Sequence, residues 1–196
     1  MLVAVALAAT AAVAAVMIAT LGGPGGDTGG GPTAGPTVAG TSRPPSGAGS
    51  NGPNATPPPG SRNETGFAWT PPKGWTRSAK SPSNVHYHSP DGQQEIAASY
   101  ALVRGGDLLA QWQQAEQGSQ DVPGYRKERL ERTTFQDRPA IIWEYFFTQD
   151  GRSWRARQLG FNAGGKSYQV NIWYAADTRT EALRAYERVT DSFTPL

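Results

Sequence analysis

Eight residues, Gly160 to Ser167, read GFNAGGKS and match the phosphate-loop pattern G-x-x-x-x-G-K-[ST] letter for letter. Such a loop works where a strand runs into a helix, because the first helical amides and the lysine must converge on phosphates. The residues that follow read YQVNIWYA, a strand pattern. The glycine pair is therefore expected to be a hairpin turn, and no nucleotide site is expected. The only histidines, His86 and His88, stand two apart, which places both on one face of a strand. Two imidazoles can begin a metal site, but no third ligand stands at a suggestive spacing. The simpler expectation is surface or edge histidines, with Glu95 opposite His88 across a tight hairpin. The chain has no cysteine and no Gly-x-Ser-x-Gly elbow, so neither common nucleophile arrangement is present. No catalytic residue, no metal and no cofactor is expected.

Basic residues are the remaining chemistry. Arg152, Arg155 and Arg157, with Arg126, Lys127, Arg129 and Arg132, fall in strand-like runs. Arg155 and Arg157 share one strand face, with Glu144 as an internal partner and Trp173 expected beside them on the next strand. A solvated or salt-bridged face is one reading. The sharper reading is a site for an anionic ligand, since guanidinium forks suit carboxylates and phosphates, and sites form where such groups meet aromatic walls. The candidate ligand-binding residues are Arg155, Arg157, Trp173 and Glu144.

The elements that must position these groups centre on Ala140 to Ala175. Three runs rich in aromatic and β-branched residues are separated by Asp150-Gly151 and Gly164-Gly165. This pattern predicts three consecutive antiparallel strands joined by tight hairpins. A two-residue turn at Asp150-Gly151 sets Phe147 opposite Trp154, Tyr145 opposite Ala156, Trp143 opposite Gln158 and Glu144 opposite Arg157. The first strand is apolar on both faces: Ile141, Trp143, Tyr145 and Phe147 on one, Ile142 and Phe146 on the other. Both faces of the sheet should therefore be covered.

Earlier strands are expected in Gly66–Trp75, Asn84–His88 and Gln94–Val103. A helix capped by Asp107 follows, with the stripe Leu108, Trp112 and Ala115. Tyr125–Phe135 is charged, as suits a sheet edge. The last helix should start with a capping box of Thr178 and Glu181 and bury Ala182, Tyr186 and Val189. The sum is an α+β domain: an antiparallel sheet of about seven strands covered by two helices.

All six Trp, all six Phe and all seven Tyr lie after Gly66, whereas only Asp27 and Arg43 are charged before Ser61. One folded domain is expected over residues 66–196. Residues 22–65, rich in Gly and Pro, cannot build a core and are expected to be a disordered linker. Residues 1–21 carry no charge, and about twenty helical residues span a hydrocarbon core. They are expected to form a membrane helix, so the lipid bilayer is one partner. With no basic flank, the charge rule does not orient that helix. The net charge of +2 gives no reason to expect nucleic acid.

The succession GFAWTPPKGW, HYHSPDG, a helix with a central Trp, VPGYRKERLE, RPAIIWEYFF, RSWRARQLGF, YQVNIWYA and a terminal helix ending SFTPL resembles a known domain. It is similar to the C-terminal extracytoplasmic domain of actinobacterial receptor-type serine/threonine protein kinases, a PsbP-like α/β/α sandwich. The resemblance covers Gly66 to Leu196. It implies a kinase inside the cell, one membrane helix, a linker and a sensor outside. The kinase itself is missing from this chain, because no glycine-rich loop precedes a VAIK-like lysine and no HRD or DFG stretch exists. What the resemblance implies is a non-catalytic, single-pass membrane sensor, and the arginines point to an anionic cell-envelope ligand for it. A cell-surface structural or protein-docking module remains the alternative.

Overall fold

The structure is a computed structural model, and it describes residues 58, 60–103 and 105–196. The expected membrane helix, residues 1–21, lies outside the described residues, as does nearly all of the expected linker. No helix among the described residues is long and apolar enough to cross a membrane.

Among the described residues, ten strands and two α-helices follow in order. They are β1 (Arg62–Glu64), β2 (Phe67–Trp69), β3 (Thr76–Ser81), β4 (Asn84–His88), β5 (Gln94–Leu102), α1 (Leu108–Gln117), β6 (Arg126–Phe135), β7 (Arg138–Gln149), β8 (Arg152–Ala163), β9 (Lys166–Ala175), α2 (Arg179–Asp191) and β10 (Thr194–Pro195). The main sheet has seven antiparallel strands in the order β3-β4-β5-β9-β8-β7-β6. A second, small sheet joins β1, β2 and β10. The charged β6 is an edge strand, as its composition predicts.

The central hairpins follow their turn residues. Asp150 and Gly151 both take positive φ, 51° and 73°, as a type I′ turn requires. The register that results pairs Phe147 with Trp154, Tyr145 with Ala156, Trp143 with Gln158 and Glu144 with Arg157. Each pair is the one expected from a two-residue turn.

Both faces of the sheet are covered. Ala182, Tyr186 and Val189 of α2 lie in one core with Val85, Ile96, Val170 and Ile172. Phe67, Trp69 and Phe193, which belong to or flank the small sheet, complete it. Trp112 and Ala115 of α1 pack on the opposite face with Ile141, Trp143, Tyr145 and Phe147. These opposed sets are the two apolar faces of β7 and its neighbours, split by the two-residue period of a strand.

Three expectations need correction. The seventh strand of the main sheet is β3, which polar and exposed TRSAKS conceals, whereas Phe67–Trp69 pairs in the small sheet. The expected linker over 22–65 runs too far, because β1 pairs with β2 and Glu64 holds Arg62 at 3.2 Å and Arg77 at 2.6 Å. The capping box at Thr178 and Glu181 does not form. A short 3₁₀ turn, Ala176–Thr178, leads into α2, and the Thr178 hydroxyl donates backward to the Ala175 carbonyl at 2.9 Å.

Candidate functional site

The phosphate-loop letters resolve into structure. Gly164 and Gly165 form the β8–β9 turn with φ of 55° and 75°, and Lys166 begins a strand rather than a helix. Its ammonium donates to the Leu196 carbonyl oxygen at 2.5 Å and lies 5.2 Å from the Tyr100 ring. Gly160 has a different role, since the indole of Trp112 occupies the space a side chain would need.

The arginines and Trp173 do not come together. Arg155 and Arg157 stand opposite Tyr174 and Ile172, whereas Trp173 stands opposite Ala156. Residues paired in register share a sheet face, and successive residues along a strand do not. Trp173 is therefore buried on the α1 face, and Arg155, Arg157 and Glu144 lie on the α2 face. The expected wall of Trp173 beside the arginines is corrected on this ground.

The guanidinium fork is not free either. Arg157 donates to one oxygen of Glu144, and Arg129 donates to the other at 2.7 Å. Arg155 is hydrogen-bonded to Glu128. Its guanidinium also lies 4.3 Å from the Phe146 ring centre, and that of Arg126 lies 4.1 Å from the same ring. Phe146, rather than Trp173, is thus the aromatic group of this face. Arg126 has no carboxylate partner among the described residues.

Burial alone would raise the carboxyl pKa of Glu144, but hydrogen bonds and charge from Arg129 and Arg157 outweigh it and hold the group below the usual range. A lowered folded-state pKa contributes stability above the unfolded-state value. That contribution is lost as pH falls through the folded-state value. Unfolding by urea should therefore become easier from about pH 5 downward. Glu144→Gln should cost about 1 kcal/mol at neutral pH and flatten that acid limb. An unchanged limb would show that Glu144 has no such role. The remainder of the limb belongs to other lowered carboxyls, among them Glu116. Burial would raise that group, but Lys127 and Tyr125 hydrogen bonds lower it.

On the opposite face a second cluster appears. His86 is buried, 1% exposed, against the expectation of surface or edge histidines. Its Nδ1 is hydrogen-bonded to Glu95 Oε1. Glu95 pairs with His88 in register, as expected, and its other oxygen lies 3.8 Å from His88 Nδ1. The His86 ring lies parallel to that of Trp173, 6.5 Å away, and to that of His88, 6.4 Å away. The row across the sheet runs His86, Ala97, Asn171, Gln158, Trp143. The adjacent row runs His88, Glu95, Trp173, Ala156, Tyr145.

Within these rows the Gln158 amide donates to the Tyr145 hydroxyl at 3.0 Å. Burial pushes the Tyr145 hydroxyl pKa up, while the Gln158 amide acts the other way. Six buried atoms in these rows remain without a hydrogen-bond partner: the indole nitrogens of Trp143 and Trp173, His86 Nε2, Glu95 Oε2, Gln158 Oε1 and Asn171 Oδ1. No signal in the sequence marks Gln158 or Asn171 as members of a polar cluster. The alternation of Asn171 with Val170 and Ile172 shows only that the two faces differ. Among the described residues no three His, Cys, Asp or Glu side chains are grouped to hold a metal.

The comparisons with known proteins concern the fold and family. LpqN of Mycobacterium tuberculosis, described as involved in cell envelope biogenesis, overlays with a TM-score of 0.51 at 17% identity, covering 65% of this chain and 82% of that one. Cyanobacterial PsbP from Synechocystis overlays at 0.49 and 15% identity, over 67% of this chain and 87% of that one. No curated protein sequence gives a significant match. The serine/threonine kinase C-terminal domain family matches residues 61–195. That span takes in both sheets and both helices, and this chain belongs to that family.

Proposed function

We propose that the chain is a membrane-tethered, non-catalytic recognition module of a serine/threonine kinase-type receptor, lying outside the membrane. The observation that carries this reading is the match of residues 61–195 to a domain of kinases that is not the kinase domain. The sequence supports it, since an apolar stretch and a Gly/Pro-rich stretch precede the domain and kinase motifs do not occur. The cell-envelope role described for LpqN is consistent with that location.

The ligand we assign to this module is an anionic cell-envelope fragment. Its face is the arginine and aromatic stack of Arg126, Phe146 and Arg155, flanked by Arg157 and Glu144. Trp173 does not share it. Stacking on a ring orients a guanidinium without consuming its edge donors, so an anion can compete for Arg155 and meet Arg126 directly. The alternative is a cell-surface protein docked at a sheet edge, favoured by the exposure of β3, whose backbone borders solvent at one end of the sheet.

The test titrates the full chain with a glycerol-phosphate polymer at about 0.1 M and about 1 M salt. Binding should weaken at the higher salt. Arg126→Ala with Arg155→Ala should lose at least about tenfold in affinity with the fold retained. A flat titration with every anionic polymer tried would favour the docking reading. Unfolding of the double variant would make these arginines structural.

A further inference from the structure

Six of the eight buried polar side-chain atoms left without a partner among the described residues belong to one face of the sheet, in the two adjacent rows through His86 and Glu95. Two of the six are indole N–H groups, those of Trp143 and Trp173. The other four are His86 Nε2, Glu95 Oε2, Gln158 Oε1 and Asn171 Oδ1, of which Glu95 Oε2 has only the His88 ring nitrogen, 3.8 Å away. An unpaired buried polar group costs about 1–3 kcal/mol, so four side by side are not a stable end state for a core. Elsewhere on this face the sheet is filled by aromatic rings, with Trp112 against Gly160 and Tyr125 over Trp143 and Tyr145.

The chemistry of the four atoms defines what completes them. Glu95 Oε2, Gln158 Oε1 and Asn171 Oδ1 are acceptors, and His86 Nε2 takes either role with its tautomer. The ligand must therefore bring several donors. It need not bring charge, since Glu95 has an imidazole at each oxygen, hydrogen-bonded in His86 and 3.8 Å away in His88. The groups are planar amides, a carboxylate and an imidazole, next to an indole. Hydroxyl groups, which donate and accept at one atom, fit such a mixed set better than ammonium, which only donates. The floor of the row is the methyl of Ala97, between His86 and Asn171. Half-buried His88 marks the end of the cluster nearest solvent.

We propose that His86, Glu95, Asn171 and Gln158 form a binding site for a small neutral polyhydroxylated ligand, such as one sugar ring. This site is separate from the arginine face, on the other side of the sheet. It deepens the recognition reading by supplying a second ligand class, yet it does not depend on the anionic one.

Intrinsic tryptophan fluorescence and thermal unfolding of the full chain should be followed with glucose, N-acetylglucosamine and maltose, and with putrescine as a cationic arm. At least one sugar should raise Tm and alter the emission, because Trp173 stacks against His86. The response should be the same at low and high salt and in Arg126→Ala with Arg155→Ala. Asn171→Ala, which removes an acceptor, and Ala97→Val, which fills the floor, should each weaken it at least tenfold. Either variant suffices if the other does not fold. No response to any sugar would mean that water alone fills the site, and the proposal fails. A response to putrescine only, or a sugar response untouched by both variants, also overturns it. Loss of the anion titration with this one intact would sink the arginine face alone.

Discussion

Gly160→Ala should destabilise the chain by about 3 kcal/mol, the upper part of the range for forcing a methyl into a packed core. A Cβ at this position would stand 2.6 Å from Trp112 Cε2 and 2.8 Å from Nε1, and closer still to Cζ2. Rings cannot yield as a flexible side-chain end does. The indole is held by Trp143, edge to face with centroids 6.3 Å apart. Its helix is held at the start by Asp107, whose carboxylate accepts from the Leu109 amide at 3.0 Å and from Arg132 at 2.8 Å. The strand is held on both sides, by Ile141 of β7 and Gln169 of β9. Neither partner can retreat without breaking a ladder or a cap. Urea unfolding of Gly160→Ala measures the cost. Trp112→Leu alone should also destabilise, by leaving a void. Combined with Gly160→Ala it should do less harm than the sum of the two, since the added methyl enters space the indole vacates. Strict additivity, or a cost for Gly160→Ala below about 0.5 kcal/mol, would show that the strand or helix adapts freely.

Glu95→Leu should cost about 3–5 kcal/mol, the range for removing one member of a buried pair. Glu95 and His86 are both almost wholly buried, and each is the other's hydrogen-bond partner. Removing the carboxylate strands the imidazole Nδ1 in addition to the already unpartnered Nε2. The combined change His86→Phe with Glu95→Leu should recover most of the loss. The polar groups then leave together, and a ring remains to stack on Trp173. Thermal and urea unfolding of both variants decide this. If the double variant is as unstable as the single one, the pair contributes through shape and not through mutual satisfaction. The double variant should also lose any sugar response, because two of the four proposed contacts are gone.

The two sites differ in how legible they were. The Glu144–Arg157 pair followed from the Asp-Gly turn, because a two-residue hairpin sets register by counting. The same counting, carried one strand further through Gly164-Gly165, puts Trp173 opposite Ala156 and so on the face away from Arg155 and Arg157. That error was one of parity, and a one-residue difference moves a side chain through the sheet. The buried histidine was less accessible. His86 and His88 share a face, but the burial of His86 depends on Trp173, two strands away in the sheet and more than eighty residues along the chain.

Sequence by itself determined the elements whose cause is local. Turn dipeptides, alternation and helical stripes specify backbone conformation and the apolar side of each element through nearest-neighbour sterics and burial, so the central strands, both helices and the cover on both faces could be read directly. It also determined that GFNAGGKS runs into a strand rather than the helix a phosphate loop needs, because the strand after Lys166 is a local property. Tertiary structure alone decided which strands neighbour which and what each face gathers. The polar TRSAKS strand joined the main sheet because backbone pairing with β4 requires no apolar side chain. Gly160 proved to be a seat for Trp112, and Gln158 and Asn171 came to stand beside His86 and Glu95. Those outcomes rest on contacts between segments far apart in sequence, where volume and hydrogen-bond satisfaction are settled jointly and no single stretch carries the information.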